Sequence, residues 1–157
     1  VFNTLFLCTG NSARSQMAEA LLNHMGKGRF RAYSAGSTPA LSVQPLAIKL
    51  IADLGLNTSE LRPKRWDEFA APEAPQMDFI ITVCDNVAGE TCPVWAGHPA
   101  LARWGVPDPA KNPTDPKGFK DAWLTLRRRV ELLLALPLEK LDHLAREQAL
   151  RLIGKEV

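Results

Sequence analysis

The sequence predicts a three-layer α/β sandwich, a four-stranded parallel sheet flanked by helices, in a single domain over 1–157. Three observations predict it. Strand-like and helix-like segments alternate along the chain. The strand segments include continuous apolar runs, as expected where helices cover both faces of a parallel sheet. No internal repeat, linker or low-complexity tract interrupts the alternation. Connections between successive strands are then right-handed crossovers.

Thr4-Leu5-Phe6-Leu7 reads as the first strand. The apolar start is short, has no basic flank and runs straight into Cys8-Thr9-Gly10-Asn11, so it reads as a buried strand rather than a signal peptide or membrane span. Met17, Ala18, Ala20, Leu21, Leu22 and Met25 follow at the spacing of a buried helix face. Residues 30–35 read as a second strand ending in Gly36. Residues 43–54 read as a second helix, with Pro45 tolerated in its first turn and Gly55 as its stop. Asp78-Phe79-Ile80-Ile81-Thr82-Val83 is the clearest strand, a continuous run with β-branched residues. A fourth strand is expected over 101–104, after the Gly/Pro-rich stretch 92–99, and a long amphipathic helix over 119–136, ended by Pro137. The tail, 138–153, places Leu138, Leu141, Leu144, Ala145, Ala149 and Leu152 on one face of a C-terminal amphipathic helix, which docks on its own domain or on a second subunit.

With 46% hydrophobic and 23% charged residues the chain has the composition of an ordinary globular protein, which excludes disorder, a collagen-like repeat and a coiled coil. A formal net charge of +2 is too slight to point to nucleic acid or an acidic membrane as a partner. Three cysteines are an odd count for a secreted disulfide framework and fit a reducing, cytoplasmic location.

Chemistry concentrates in Cys8-Thr9-Gly10-Asn11-Ser12-Ala13-Arg14-Ser15, between the first strand and the first helix. Backbone N–H groups without intrahelical partners converge at a helix N-terminus, which makes this loop a cradle for an oxyanion. Gly10 permits the tight turn, and Asn11 can adopt a left-handed conformation or tether the loop with its amide. Arg14 lies six residues after Cys8, where its planar guanidinium can hold two oxygens of a tetrahedral anion. The helix dipole, the loop amides, Arg14 and the Ser15 hydroxyl all favour a thiolate at Cys8, making it a nucleophile.

These residues resemble the low-molecular-weight protein tyrosine phosphatase fold, whose signature is a Cys-x5-Arg-Ser loop after the first strand; the resemblance covers nearly the whole chain. Ser34-Ala35-Gly36 and Pro107-Asp108-Pro109 match further motifs of that family, and the second implies Asp108 as general acid. The segment from Val83 to Pro93 is similar to that of the arsenate reductases built on this fold, which implies Cys84 and Cys92 as partners of Cys8 in a disulfide relay. Ester hydrolysis needs no second thiol, whereas reducing arsenic(V) takes two electrons, which a thiol pair supplies by becoming a disulfide. Ala110-Lys111 stands where the phosphatase branch tends to place aromatic residues.

The resemblance therefore implies an arsenate reductase without cofactor, acting on arsenate with phosphate or sulfate as competing anions. Thioredoxin, or glutaredoxin with glutathione, is the implied electron donor. A phosphomonoesterase and a non-catalytic oxyanion or redox sensor are the other functions that fit the loop. Ala13 fills a position that is cysteine in many relatives, so no disulfide can form within the loop. Some members bind a potassium ion near the loop, to which Asn11, Glu19 and Ser34 would contribute here. A zinc site of Cys84, Cys92 and His98 lacks a fourth ligand at the usual spacing, and His24 and His143 fall on helix surfaces.

Overall fold

The computed structural model describes residues 1–83 and 97–155. Its principal elements are β1 (Phe2–Cys8), α1 (Arg14–Met25), β2 (Phe30–Gly36), α2 (Pro45–Ala52), β3 (Phe79–Thr82), β4 (Ala100–Arg103), α3 (Pro116–Leu134) and α4 (His143–Ile153). The four strands form one sheet in the order β2-β1-β3-β4, with every pairing parallel. Thr4, Leu5, Phe6, Leu7 and Cys8 are buried in succession. Successive strand residues point to opposite faces, so β1 is covered on both sides, as the sandwich requires.

The element boundaries have local causes. Pro45 occupies the first turn of α2, where its missing N–H leaves no helical bond unmade. Asp115 caps α3 by accepting the Lys117 N–H at 3.0 Å. In α1 the apolar pattern finds the core face but misses the first turn, because Arg14, Ser15 and Gln16 are polar and nonetheless buried.

The tail departs from the expected single helix over 138–153. Leu138–Lys140 forms a short 3-10 turn after Pro137, and α4 starts afresh at His143 with Asp142 accepting the Ala145 N–H at 2.8 Å. The restart changes the helical phase and hence the buried face. Leu150 and Ile153 enter the core, whereas Leu144 and Leu152 are 62% and 63% exposed. Of the two docking alternatives, α4 takes its own domain. It closes the edge of the sheet: Glu147 Oε2 accepts the Leu101 N–H at 3.0 Å and Arg151 Nε donates to Leu101 O at 3.2 Å. Backbone groups of β4 that would otherwise template another strand are thereby occupied.

Trp104, just beyond β4, locks this corner. It is fully buried, 6.0 Å from the Phe6 ring, and its indole N–H donates to Leu150 O at 2.9 Å. Trp104→Phe removes volume and orphans that carbonyl, so it should lower stability by roughly 2 kcal/mol. Chemical denaturation should show a lower midpoint at unchanged slope; an unchanged midpoint would mean the indole does not tie α4 to the sheet.

Candidate active site

Residues 8–15 carry the chain from the end of β1 to the start of α1. Cys8 pairs with Gly36 in the sheet and is buried. Its Sγ accepts the Asn11 N–H at 3.2 Å and lies 3.1 Å from Ser15 Oγ. Ser15 Oγ accepts from Asn11 Nδ2 at 2.7 Å, which leaves its own proton for the sulfur. Two donors thus converge on Sγ, an arrangement that stabilises the charged form.

Asn11 does both things its residue type allows. Its φ is 50°, in the left-handed region, and its side chain ties the loop to the surrounding fold. Oδ1 accepts from Gln16 Nε2 at 3.0 Å and from the Lys64 N–H at 2.8 Å. Gln16 Nε2 also reaches Asn11 O and Arg62 O, at 3.1 and 2.9 Å. Gly36 leaves room for none of its neighbours to yield: a Cβ there would stand 2.9 Å from Cys8 O and closer still to Thr9 O.

The loop carbonyls are held from outside. Thr38, Ala40 and Gln44 donate their N–H groups to Thr9 O, Gly10 O and Ser12 O at 2.9, 2.9 and 2.8 Å. In a trans peptide the N–H opposes the C=O, so these bonds turn the N–H groups of Gly10, Asn11 and Ala13 toward the inside of the loop. Asn11 N–H, pointing at Sγ, follows that pattern. Thr9, Gly10, Asn11, Ser12, Ala13 and Arg14, the residues expected from the sequence to cradle an anion, all lie on this turn from β1 into α1.

Arg14 and Asp108 come together from distant parts of the chain. Arg14 is buried, with Nη1 donating to Val106 O at 2.9 Å and Nη2 lying 3.7 Å from Asp108 Oδ2. The other Asp108 oxygen accepts the Ala110 N–H at 2.9 Å, so Asp108 is a turn residue and a neighbour of Arg14 at once. Cys84 and Cys92 lie outside the described residues. Val83 N–H donates to Leu7 O at 2.8 Å, so the described chain runs beside β1 up to the residue before Cys84. His98 is exposed and lies two residues before β4, by the amino ends of the parallel strands, whereas Cys8 ends β1.

Beneath the loop, Ser34 Oγ donates to Glu19 Oε1 at 3.1 Å, and the Lys64 ammonium stands 4.0 Å from the same oxygen. Burial pushes the Glu19 carboxyl above its ordinary range, while Lys64 and the Ser34 hydroxyl pull it back. Burial pushes the Lys64 ammonium down, against the attraction of Glu19. An internal ammonium thus supplies the positive charge beside Glu19. With Asn11 Oδ1 already shared by Gln16 and Lys64, these residues fit a lysine counter-charge rather than a potassium ion. Lys64, Gln16 and Arg62 escape sequence reasoning because two of them reach the loop through backbone atoms. Gln16 does carry a signal, a polar residue within the first buried turn of α1.

The sheet thus delivers Cys8 to the loop before α1, whose first residue, Arg14, faces Asp108. The chain belongs to the low molecular weight phosphotyrosine protein phosphatase family, which residues 3–149 match. One relative, the arsenate reductase of Shouchella clausii, is 35% identical over 124 residues, 78% of this chain and 83% of that protein. The arsenate reductase of Archaeoglobus fulgidus superposes with a TM-score of 0.68 at 32% identity, over 85% of this chain and 99% of that one. The thioredoxin-dependent arsenate reductase of Corynebacterium glutamicum gives 0.65 at 27% identity, over 89% and 64%.

Lys64→Met tests the buried pair. A carboxyl whose pKa is raised by folding contributes stability below its unfolded value and loses it as pH rises through the folded value. Removing Lys64 raises the folded value further. The variant's stability deficit should therefore be small near pH 5 and grow to about 2 kcal/mol near pH 8. Denaturation midpoints at the two pH values measure it, and a deficit independent of pH would contradict the pairing.

Proposed function

We propose that the chain is a cytoplasmic arsenate reductase working through a relay of Cys8, Cys84 and Cys92. The observation that carries this reading is the pair of additional thiols in a chain whose Cys8 loop and Arg14–Asp108 contact already suffice for an oxyanion. A hydrolase of this design has no use for them. Relatives named as arsenate reductases support the substrate, and a thioredoxin-dependent neighbour supports thioredoxin over glutaredoxin with glutathione as donor.

In this reading arsenate is held by the loop of Thr9, Gly10, Asn11, Ser12 and Ala13, with the N–H groups of Gly10, Asn11 and Ala13 turned inward, and by the Arg14 fork. Cys8 thiolate, favoured by Ser15 and the Asn11 N–H, attacks arsenic. An As–S bond forms as an As–O bond breaks, and Asp108 protonates the departing oxygen so that water leaves. Cys84 thiolate then attacks the Cys8 sulfur. The electron pair of the As–S bond returns to arsenic, which leaves as arsenite, reduced by two electrons, and Cys8 and Cys84 are oxidised to a disulfide. Cys92 attacks Cys84, releasing Cys8 as thiolate and forming a second disulfide. The donor dithiol reduces that bond by two electrons. Phosphate and sulfate fit the same cradle and compete.

Phosphomonoester hydrolysis is the second reading, supported by the family to which the chain belongs. It uses Cys8, Arg14 and Asp108 and leaves Cys84 and Cys92 idle. Cysteine substitutions separate the two. With thioredoxin, its reductase and NADPH, the parent should turn over arsenate many times. Cys84→Ser should lose that turnover and keep any aryl phosphatase activity. Cys92→Ser should release arsenite once and stall with Cys8 crosslinked to Cys84, a bond that peptide mapping without reduction will find. Near-normal arsenate turnover by Cys84→Ser would overturn the relay.

A further inference from the structure

Arg129 is an arginine inside the core, on α3, only 5% exposed. Burying a guanidinium carries a large desolvation cost, so its contacts deserve a reason. Its Nη1 donates to Gly105 O at 3.0 Å. The next carbonyl, Val106 O, accepts from Arg14 Nη1 at 2.9 Å. Two guanidiniums, one from α3 and one from the anion loop, therefore grip adjacent carbonyls of one short segment.

The rest of that segment is fixed as well. Trp104 N–H donates to Thr82 O at 2.6 Å, Trp104 Nε1 to Leu150 O at 2.9 Å, and Val106 N–H to Val83 O at 3.1 Å. Beyond Val106 the chain reads Pro107-Asp108-Pro109, in which two proline rings restrict the backbone on either side of the carboxylate. Little freedom remains between the gripped carbonyls and Asp108. A displacement at Gly105 must pass along this stiff connection to the carboxylate, and to the Val106 carbonyl that holds Arg14.

We infer that Arg129 is a positioning residue for the active site: by holding Gly105 O it sets the segment that presents Asp108 to the oxyanion and fixes the Val106 acceptor of Arg14. Among the described residues it touches no reacting atom. Burial pushes its guanidinium pKa down, in keeping with a cation kept in the core for its hydrogen bonds. The inference rests on the reading of Asp108 as general acid and needs no particular electron donor.

A mutant cycle of parent, Arg129→Met, Asp108→Asn and the double variant tests it. The readout is the rate of arsenite release in a single turnover, with arsenate affinity measured separately by calorimetry. Arg129→Met should slow release by about tenfold or more in the parent background, because a small misplacement of a catalytic group is costly. In the Asp108→Asn background the same change should cost severalfold less than in the parent, since of the two groups it positions only Arg14 remains. Arg129→Lys, which keeps a donor in a milder replacement, should recover part of the rate and serves in place of Arg129→Met if that variant does not fold. Equal slowing in both backgrounds would mark Arg129 as a structural residue only and overturn the inference, as would no slowing at all. If Asp108→Asn itself leaves the rate unchanged, the general-acid reading falls and this inference with it. If the parent releases no arsenite, the reductase reading fails separately, and the same cycle on aryl phosphate hydrolysis still decides the role of Arg129.

Discussion

The site depends on one sulfur and the two donors aimed at it. Cys8 Sγ lies at the carboxyl end of a strand buried on both faces, where Asn11 N–H and the Ser15 hydroxyl meet it. The strand fixes where the sulfur is, and the loop fixes its electrostatic surroundings. An anion binding in the cradle needs that same geometry, because the N–H groups that stabilise the sulfur belong to the curve that would hold the anion's oxygens. Nucleophile and anion site are one construction.

That construction is not self-supporting. The loop's carbonyls are occupied by residues 38–44, and its asparagine is anchored by Gln16 and the backbone of Lys64. The partners of the loop therefore come from α1 and from two connecting segments, all converging on a few buried polar atoms. Such networks are worth most when every member is satisfied and lose most when one is removed. The Glu19–Lys64 pair lies directly under this network, sharing Lys64 with it.

Much of this is legible in the sequence, and the misses have physical reasons. Cys8, Gly10, Arg14 and Ser15 fall within eight consecutive residues, and their types point to an anion loop. The buried strands declare themselves through apolar runs such as Phe79-Ile80-Ile81. The first turn of α1 does not, because Arg14, Ser15 and Gln16 are buried for their polar groups, and hydrophobic periodicity is blind to that. The tail misleads because Asp142 restarts the helix in a new phase, burying Leu150 where the pattern offered Leu144. Lys64 and Arg129 leave no signature, since one acts through its backbone N–H and the other on a backbone carbonyl. The roles proposed for Cys84 and Cys92 rest on the resemblance of residues 83–93 to the arsenate reductases of this fold and on the chemistry two further thiols allow.

The proposed chemistry requires that the fold hold Cys8 as a thiolate. Replacing Cys84 and Cys92 with serine leaves Cys8 as the one thiol in the chain, and its ionisation can then be followed by the ultraviolet absorbance of the thiolate across pH. Cys8 should ionise well below the value of about 8.5 for a free cysteine, and Ser15→Ala should move the transition up. A transition at or above the free-cysteine value, or one that Ser15→Ala leaves in place, would contradict that requirement.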